Sequence, residues 1–360
     1  MDLSPPEPDE LELSVFGRGY GESICVHLGS GDWVLVDSCI NPDTKLPAAL
    51  SYLPSLGLSP AEAVRLVIAT HWDDDHIGGI GEVVEACVGA RVACSAALGM
   101  PDIVAFVFEQ EAAKGALGSG LDAFRTLLRV CASRGTTILW AKANLPLHPL
   151  PPGDTPAVIA LSPSEDAFER SIVSLVEAAA QAKSTFRRRY KAPEGPNGAS
   201  VAAFVRNSGV AMLLGADLEV SSNPETGWDG VLKYSKPTIK ASIVKVPHHG
   251  SPGAHHDSMW SDLTDDDPIA VLSPWARGAK YLPTEEDLAR LRSVSNRVFL
   301  TAMPSLARAK RDAKLATMIR RLHGGRDIRE LRGWGHVRAR RRLEENRWRV
   351  ELDGDAKSAS

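Results

Sequence analysis

A chain of 360 residues, 44% hydrophobic and carrying a net charge of −4, is long enough to bury a large core. No apolar stretch approaches the roughly 20 residues needed to span a bilayer, so a cytoplasmic protein with no membrane partner is expected. Cys25, Cys39, Cys87, Cys94 and Cys131 show no C-x-x-C pairing and read as reduced, buried thiols, and no G-x-x-x-x-G-K-[ST] motif exists, which excludes a P-loop NTPase.

In chain order, residues 1–10 are acidic and proline-rich and read as a short disordered lead. Strands are expected near 11–16, 23–28 and 33–37, joined by glycine-bearing turns such as Gly17-Arg18-Gly19-Tyr20-Gly21. The apolar run Val64-Arg65-Leu66-Val67-Ile68-Ala69 reads as a buried strand, and a helix over Gly81 to Val88 follows it. Helical insertions are expected at about 100–132 and 165–192, separated by a strand over Val158-Ile159-Ala160-Leu161. Further strands are Val210 to Leu214, Ile243 to Val246 and Ile269 to Ser273, with a helix from Glu285 to Arg292. Residues 305–360 read as a basic extension, a helix carrying Arg308, Lys310, Arg311, Lys314, Arg320 and Arg321, then a hairpin.

The chemistry concentrates in Thr70-His71-Trp72-Asp73-Asp74-Asp75-His76-Ile77-Gly78-Gly79, directly after the Val64–Ala69 strand. Where a strand ends, the chain turns, and side chains one and two apart can converge instead of alternating across a sheet. Imidazole and carboxylate at this density suit a hydrolytic zinc or manganese site; the plainer reading is a polar turn with Asp75 as N-cap.

His71-x-Asp73-x-Asp75-His76 followed by Gly78-Gly79 resembles the metal motif of the metallo-β-lactamase fold superfamily, with Asp73 where a second histidine is commoner. That variant, together with Lys245-Val246-Pro247-His248-His249-Gly250-Ser251, resembles the ComEC-like branch, the hydrolase domain of a competence protein and its soluble relatives. The resemblance implies an α/β fold, a four-layer αβ/βα sandwich with helical insertions, spanning residues 11–304 and followed by the basic extension. It implies one or two Zn²⁺ or Mn²⁺ ions held by His71, Asp73, Asp75, His76, Asp217 and His248. Asp37, at the end of Trp33-Val34-Leu35-Val36, would support the ligand loop through hydrogen bonds, unless it is only a turn cap. Asn197, Ser200, Lys245 and Ser251 would also stand behind the ligands. In Gly215-Ala216-Asp217, Ala216 replaces the family glycine before the bridging aspartate, and no third-motif histidine exists beyond His148, which reads as a loop histidine.

His248 and His249 cannot be separated by sequence, because neighbours at a strand end point apart; one would bind metal and the other face substrate. His248 is taken as the ligand, Asp75 and His249 as the catalytic residues, one orienting a metal-activated water and the other protonating the leaving oxygen. Arg187, Arg188 and Arg189, beside the 192–198 loop, read either as a substrate-gripping lid or as a solvated helix end, and His255 and His256 as candidates for the mouth of the site.

Arg338-Ala339-Arg340-Arg341-Arg342 and Arg347-Trp348-Arg349 suggest a polyanionic partner, nucleic acid or an acidic protein, or else merely a solvated surface. A metal-dependent phosphodiesterase or nuclease is the first expectation. A hydrolase of a non-phosphate ester, lactone or thioester, and a non-catalytic nucleic-acid-binding or partner-binding protein, are the alternatives.

Overall fold

The computed structural model describes residues 1–99, 104, 108, 119–148, 157–171, 196–277, 280–303 and 333–359. Its strands alternate side chains between two faces, and the central strands are buried on both. On β1 (Glu10–Gly17) the even and odd positions part: Leu11, Leu13 and Val15 face one core, Phe16 another. The same holds for β2 (Glu22–Leu28) and β3 (Trp33–Val36), where Ile24, Val26 and Val34 face the first core and Cys25, Trp33 and Leu35 the second. Strands buried on both faces need cover on both, which dictates a layered sandwich.

Two eight-stranded sheets result. The first is completed by β4 (Val64–Ala69), β5 (Arg91–Ser95) and β6 (Ile138–Ala141), running parallel from β3. The second contains β7 (Pro146–His148), β8 (Ala157–Ala160), β9 (Ala203–Asn207), β10 (Val210–Leu214), β11 (Ala241–Lys245), β12 (Thr264–Leu272) and β15 (Arg297–Leu300), of which β10, β11, β12 and β15 are parallel. A short hairpin, β13 (Trp275–Arg277) and β14 (Lys280–Leu282), stands apart.

The central core, with Leu13, Val26, Ile68, Val205, Met212, Ile243 and Val271, lies between the sheets. Helices α1 (Ala48–Ser55), α3 (Ile80–Ala86) and α4 (Ser119–Arg134) cover the first sheet, with the short α2 (Pro60–Ala63) leading into β4. Helices α5 (Gly227–Tyr234), α6 (Asp257–Leu263) and α7 (Glu285–Arg292) cover the second through Trp228, Met259, Leu263, Leu288 and Leu291. α7 starts where expected because Thr284 and Asp287 form a reciprocal capping box. This is the four-layer αβ/βα sandwich of the metallo-β-lactamase fold.

The C-terminal hairpin forms but does not extend from the fold. β16 (Gly335–Arg342) lies between β1 and β17 (Arg349–Gly354) in the first sheet, and β18 (Lys357–Ser358) pairs with β15 in the second. Three of its arginines are held by carboxylates: Arg338 pairs with Glu351, Arg340 with Glu12, and Arg349 with Glu10. The lead is likewise not loose, since Arg338 donates to the Asp2 carbonyl and Arg340 to that of Ser4. Burial of Arg338 and Arg340 on β16 left these cations needing partners, which Glu351 of β17 and Glu12 of β1 supply. The basic helix expected over 308–321 and that over 172–189 lie outside the described residues.

Candidate metal centre

The loops at the carboxyl ends of the parallel strands meet at one end of the sandwich, the usual crevice of α/β sheets. After β4, the amides of His76 and Ile77 both bond the Asp73 carbonyl, and this tight turn brings the clustered side chains to one side. Asp37, left-handed at φ 58° after β3, fastens that turn. Its carboxylate accepts the Thr70 amide and hydroxyl, each at 2.8 Å, and Nδ1 of His76 at 2.7 Å. Because Thr70 gives its one hydroxyl proton to Asp37, its oxygen accepts from Nδ1 of His71 at 2.9 Å. Both histidines thus direct Nε2 inward.

Asp217 follows β10. A Cβ on Gly215 would stand 2.7 Å from Pro247, so only glycine fits there, while Ala216 takes φ 46°. Positive φ costs a residue with a Cβ roughly 1–2 kcal/mol. Ala216→Gly is therefore expected to leave stability unchanged or raise it by up to about 1 kcal/mol, the added chain entropy of glycine offsetting part of the relief. Urea unfolding of the metal-free protein measures this; a clear loss would mean that the alanine methyl is needed in packing.

Among the described residues, four imidazoles stand around Asp217, three of them buried. Nε2 of His76 is 3.3 Å from Oδ1, while Nε2 of His249 and His71 are 3.7 and 4.0 Å from Oδ2. His249 gives Nδ1–H to the Ser273 carbonyl at 3.0 Å and sets Nε2 3.3 Å from Asp75. Asp73 lies 3.9 Å from Nε2 of His71 and is the more exposed member, at 42%.

Nε2 of His71, His76 and His249 and Oδ1 of Asp217 are all buried without a hydrogen-bond partner. Such orphans are costly unless something absent from the protein satisfies them. Two ligands of one tetrahedral zinc stand roughly 3.3 Å apart, the scale of these separations. The donor atoms form two overlapping sets, His71/His76/Asp217 and Asp75/His76/His249. A third grouping, Glu22/Asp37/His76, is no separate centre, because Nδ1 of His76 is already held by Asp37.

The electrostatics agree. Burial opposes charge on His76, yet Asp217 and Asp37 hold its pKa well above the usual value. Burial likewise disfavours the Asp217 anion, but His76 and His249 keep its pKa well below the ordinary range. Burial and the neighbouring His76 push His71 down to about 3, leaving it a neutral lone-pair donor. The carboxylates draw positive charge inward, which a bound cation supplies better than a proton.

His248 and His249 do not point apart as neighbours on a strand would. Both have positive φ, 42° and 54°, in a tight turn, and this brings both rings towards Asp217. The residue grouped with Asp75 and His76 is His249, 1% exposed, rather than the expected His248. His248 lies nearer the mouth, with Nδ1 2.7 Å from Glu219 and Nε2 3.8 Å from Asp217 and 3.4 Å from Asn197.

Ser200 is buried beside this edge, and the Val201 amide bonds the Thr70 carbonyl, so the Asn197–Ser200 turn borders the His71 loop. Lys245 is fully buried and pairs with Glu22. Ser251 accepts the Gly253 amide and caps a short turn. His255 and His256, expected at the mouth, are engaged locally. His255 accepts from the Trp260 indole, while His256 caps α6 and contacts Asp229 at 3.0 Å. His148 is on β7, not in a loop, 3.7 Å from Asp32. Arg187, Arg188 and Arg189 lie outside the described residues. Sequence reasoning missed Glu22, Glu219 and Ser273. An acidic residue opening an apolar strand (Glu22), and polar residues just past strand ends (Glu219, Ser273), were the available signals.

Residues 17–170 match the family profile described as Metallo-beta-lactamase superfamily. That match takes in less than half of the 360-residue chain. Proteins of this superfamily are generally metal-dependent hydrolases binding divalent ions, typically zinc, and the buried His/Asp centre described above is in keeping with that. The match includes the His71–His76 cluster, whereas Asp217, His248 and His249 lie beyond it. No curated protein matches this chain. Solved structures with some similarity include the metallo-beta-lactamase SMB-1 bound to 2-mercaptoethanesulfonate, at 13% identity and TM-score 0.33, over 69% of this chain and 82% of that one. Others are a putative metallo-beta-lactamase from Thermotoga maritima (13%, TM-score 0.30, 58% and 79% covered) and a metallo-beta-lactamase from Pontibacter korlensis (14%, TM-score 0.29, 62% and 77%). Likeness at this level says nothing of substrate. Among the described residues no helix is long and apolar enough to cross a membrane.

Proposed function

We propose that this protein is a metal-dependent hydrolase of the ComEC-like kind, and that a phosphodiester is the bond it cleaves. The observation that carries the reading is the set of buried, unpartnered donor atoms converging on Asp217. His71, Asp73 and Asp217 would hold one ion, and Asp75, His76, His249 and the shared Asp217 another. A bound divalent ion lowers the pKa of a coordinated water and neutralises charge developing on the substrate, worth several kcal/mol. Asp73 offers oxygen where an imidazole is commoner, which favours Mn²⁺ relative to a histidine-only site.

Asp75, between the Asp73–His76 turn and His249, orients the attacking water. His248, backed by Glu219 and half-way to solvent, is placed to protonate the leaving oxygen, the role sequence assigned to its neighbour. Phosphate finds a further cation in Arg18. Its turn is stitched over the centre: the Glu22 amide bonds the Asp75 carbonyl, and Ala276 bonds the Gly19 carbonyl. Nε of Arg18 is buried there without a hydrogen-bond partner.

A second reading, hydrolysis of a carboxylic ester, lactone or thioester, gains from the internal pairing of Arg338, Arg340 and Arg349, which offsets positive charge that a nucleic acid would need. The deciding experiment assays bis-p-nitrophenyl phosphate, DNA, RNA, a lactone and a thioester with Mn²⁺ or Zn²⁺, alongside the Asp75→Ala/His76→Ala protein. Metal-dependent phosphodiester cleavage absent from the variant is expected; turnover of only the lactone or thioester would replace the first reading by the second. No metal and no turnover would leave a binding protein. His248→Gln is expected to keep its metal while losing about 10²–10⁴-fold in kcat. Loss of metal in that variant would make His248 a ligand instead.

A further inference from the structure

Glu22 and Lys245 form a fully enclosed ion pair at 2.8 Å, each 0% exposed. They come from different sheets, Glu22 from β2 and Lys245 from β11. Burying two charges is expensive, and such a pair is poor evidence of stability by itself, so its position matters more than its strength. Oε2 of Glu22 also accepts the Ser273 hydroxyl at 2.6 Å. The carbonyl of the same serine takes Nδ1–H of His249 at 3.0 Å, and the Glu22 carboxylate stands 4.0 Å from that Nδ1. The Glu22 amide meanwhile donates to the carbonyl of Asp75 at 2.8 Å. One residue thus touches the backbone of one candidate ligand and, through Ser273, the ring of another.

Resting on the metal-centre reading above, we propose that Glu22, its charge balanced by Lys245, is a positioning residue that fixes the orientation and tautomer of His249 and holds the Asp75 loop against it. A negative charge beside Nδ1 favours the proton there and leaves the Nε2 lone pair facing Asp75 and Asp217. Lys245 adds a second anchor by donating to the Val246 carbonyl at 3.0 Å, just before the His248–His249 turn.

The test compares wild type, Glu22→Gln and the double variant Glu22→Gln/Lys245→Met. The double variant leaves no unpaired buried charge and so folds even if the single one does not. Two readouts are taken: zinc affinity by competition with a chelator, and the His249 tautomer in metal-free protein by ¹⁵N NMR of histidine-labelled chain. The double variant is expected to melt near wild type, bind zinc 10–100-fold more weakly and lose the single Nδ1-protonated tautomer. Wild-type affinity with an unchanged tautomer in the double variant would overturn the proposal, leaving the pair a sheet-to-sheet contact only. A wild-type protein that takes up no zinc or manganese would instead refute the metal-centre reading, and the tautomer measurement would still decide the role of Glu22.

Discussion

Asp217→Asn is expected to abolish metal uptake and to lower hydrolysis by about 10³-fold or more, while the metal-free protein keeps its fold. Among the described residues Asp217 is the one carboxylate within 4.0 Å of Nε2 of His71, His76 and His249 at once, so one donor set loses a member and the other the charge beside two of its imidazoles. Asparagine keeps the shape but removes the charge that draws a cation in. In the metal-free state the anion is also held by His76 and His249, so the variant loses some stability, of which relief of the like charge on Asp75 returns a part. Thermal melts make the distinction: an ion at a hundred times its Kd stabilises the folded wild type by about 2.7 kcal/mol and should stabilise the variant by nothing. A variant with wild-type metal content and turnover would mean that the bridging position is wrongly assigned.

Arg340→Ala is expected to cost about 3–5 kcal/mol of stability, because it strands the carboxylate of Glu12 inside the protein. Glu12 is fully buried, and Tyr52 and Ser14 donate to its Oε1 at 2.7 and 2.6 Å while Arg340 holds Oε2 at 2.7 Å. Pairing Arg340→Met with Glu12→Gln should recover most of the loss, since neither charge is then left alone. Urea unfolding of the three variants measures this. If Arg340 instead served a polyanion, its removal would spare stability and weaken nucleic-acid binding with a shallower salt dependence. That pattern would restore the basic-surface reading of the C-terminal hairpin.

Much of this protein was legible locally. Each candidate ligand follows an apolar run whose period marks a strand: Val64–Ala69 before His71, Val210–Leu214 before Asp217, Ala241–Lys245 before His249. Strand length and alternation depend on neighbours one and two residues away, and so does the chemistry of a His/Asp cluster in one turn. The helix expected from Glu285 to Arg292 also forms, started by the Thr284–Asp287 capping box.

Other features were not local. The arginines of β16 alternate with Val337 and Ala339, as on a solvated strand face, yet Arg342 lies opposite Glu10 in register and Arg340 opposite Glu12. A carboxylate more than three hundred positions away pairs with a buried arginine, and no spacing rule reaches so far. His248 and His249 are adjacent letters whose roles depend on two left-handed backbone positions and on Ser273 waiting behind one ring. Sequence by itself determined which residues bring metal-binding and proton-transferring groups to strand ends, because side-chain chemistry and strand period are local properties. Only the tertiary structure decided which of them converge and what holds them, because burial, ion pairing and the meeting of two sheets are set by residues far apart along the chain.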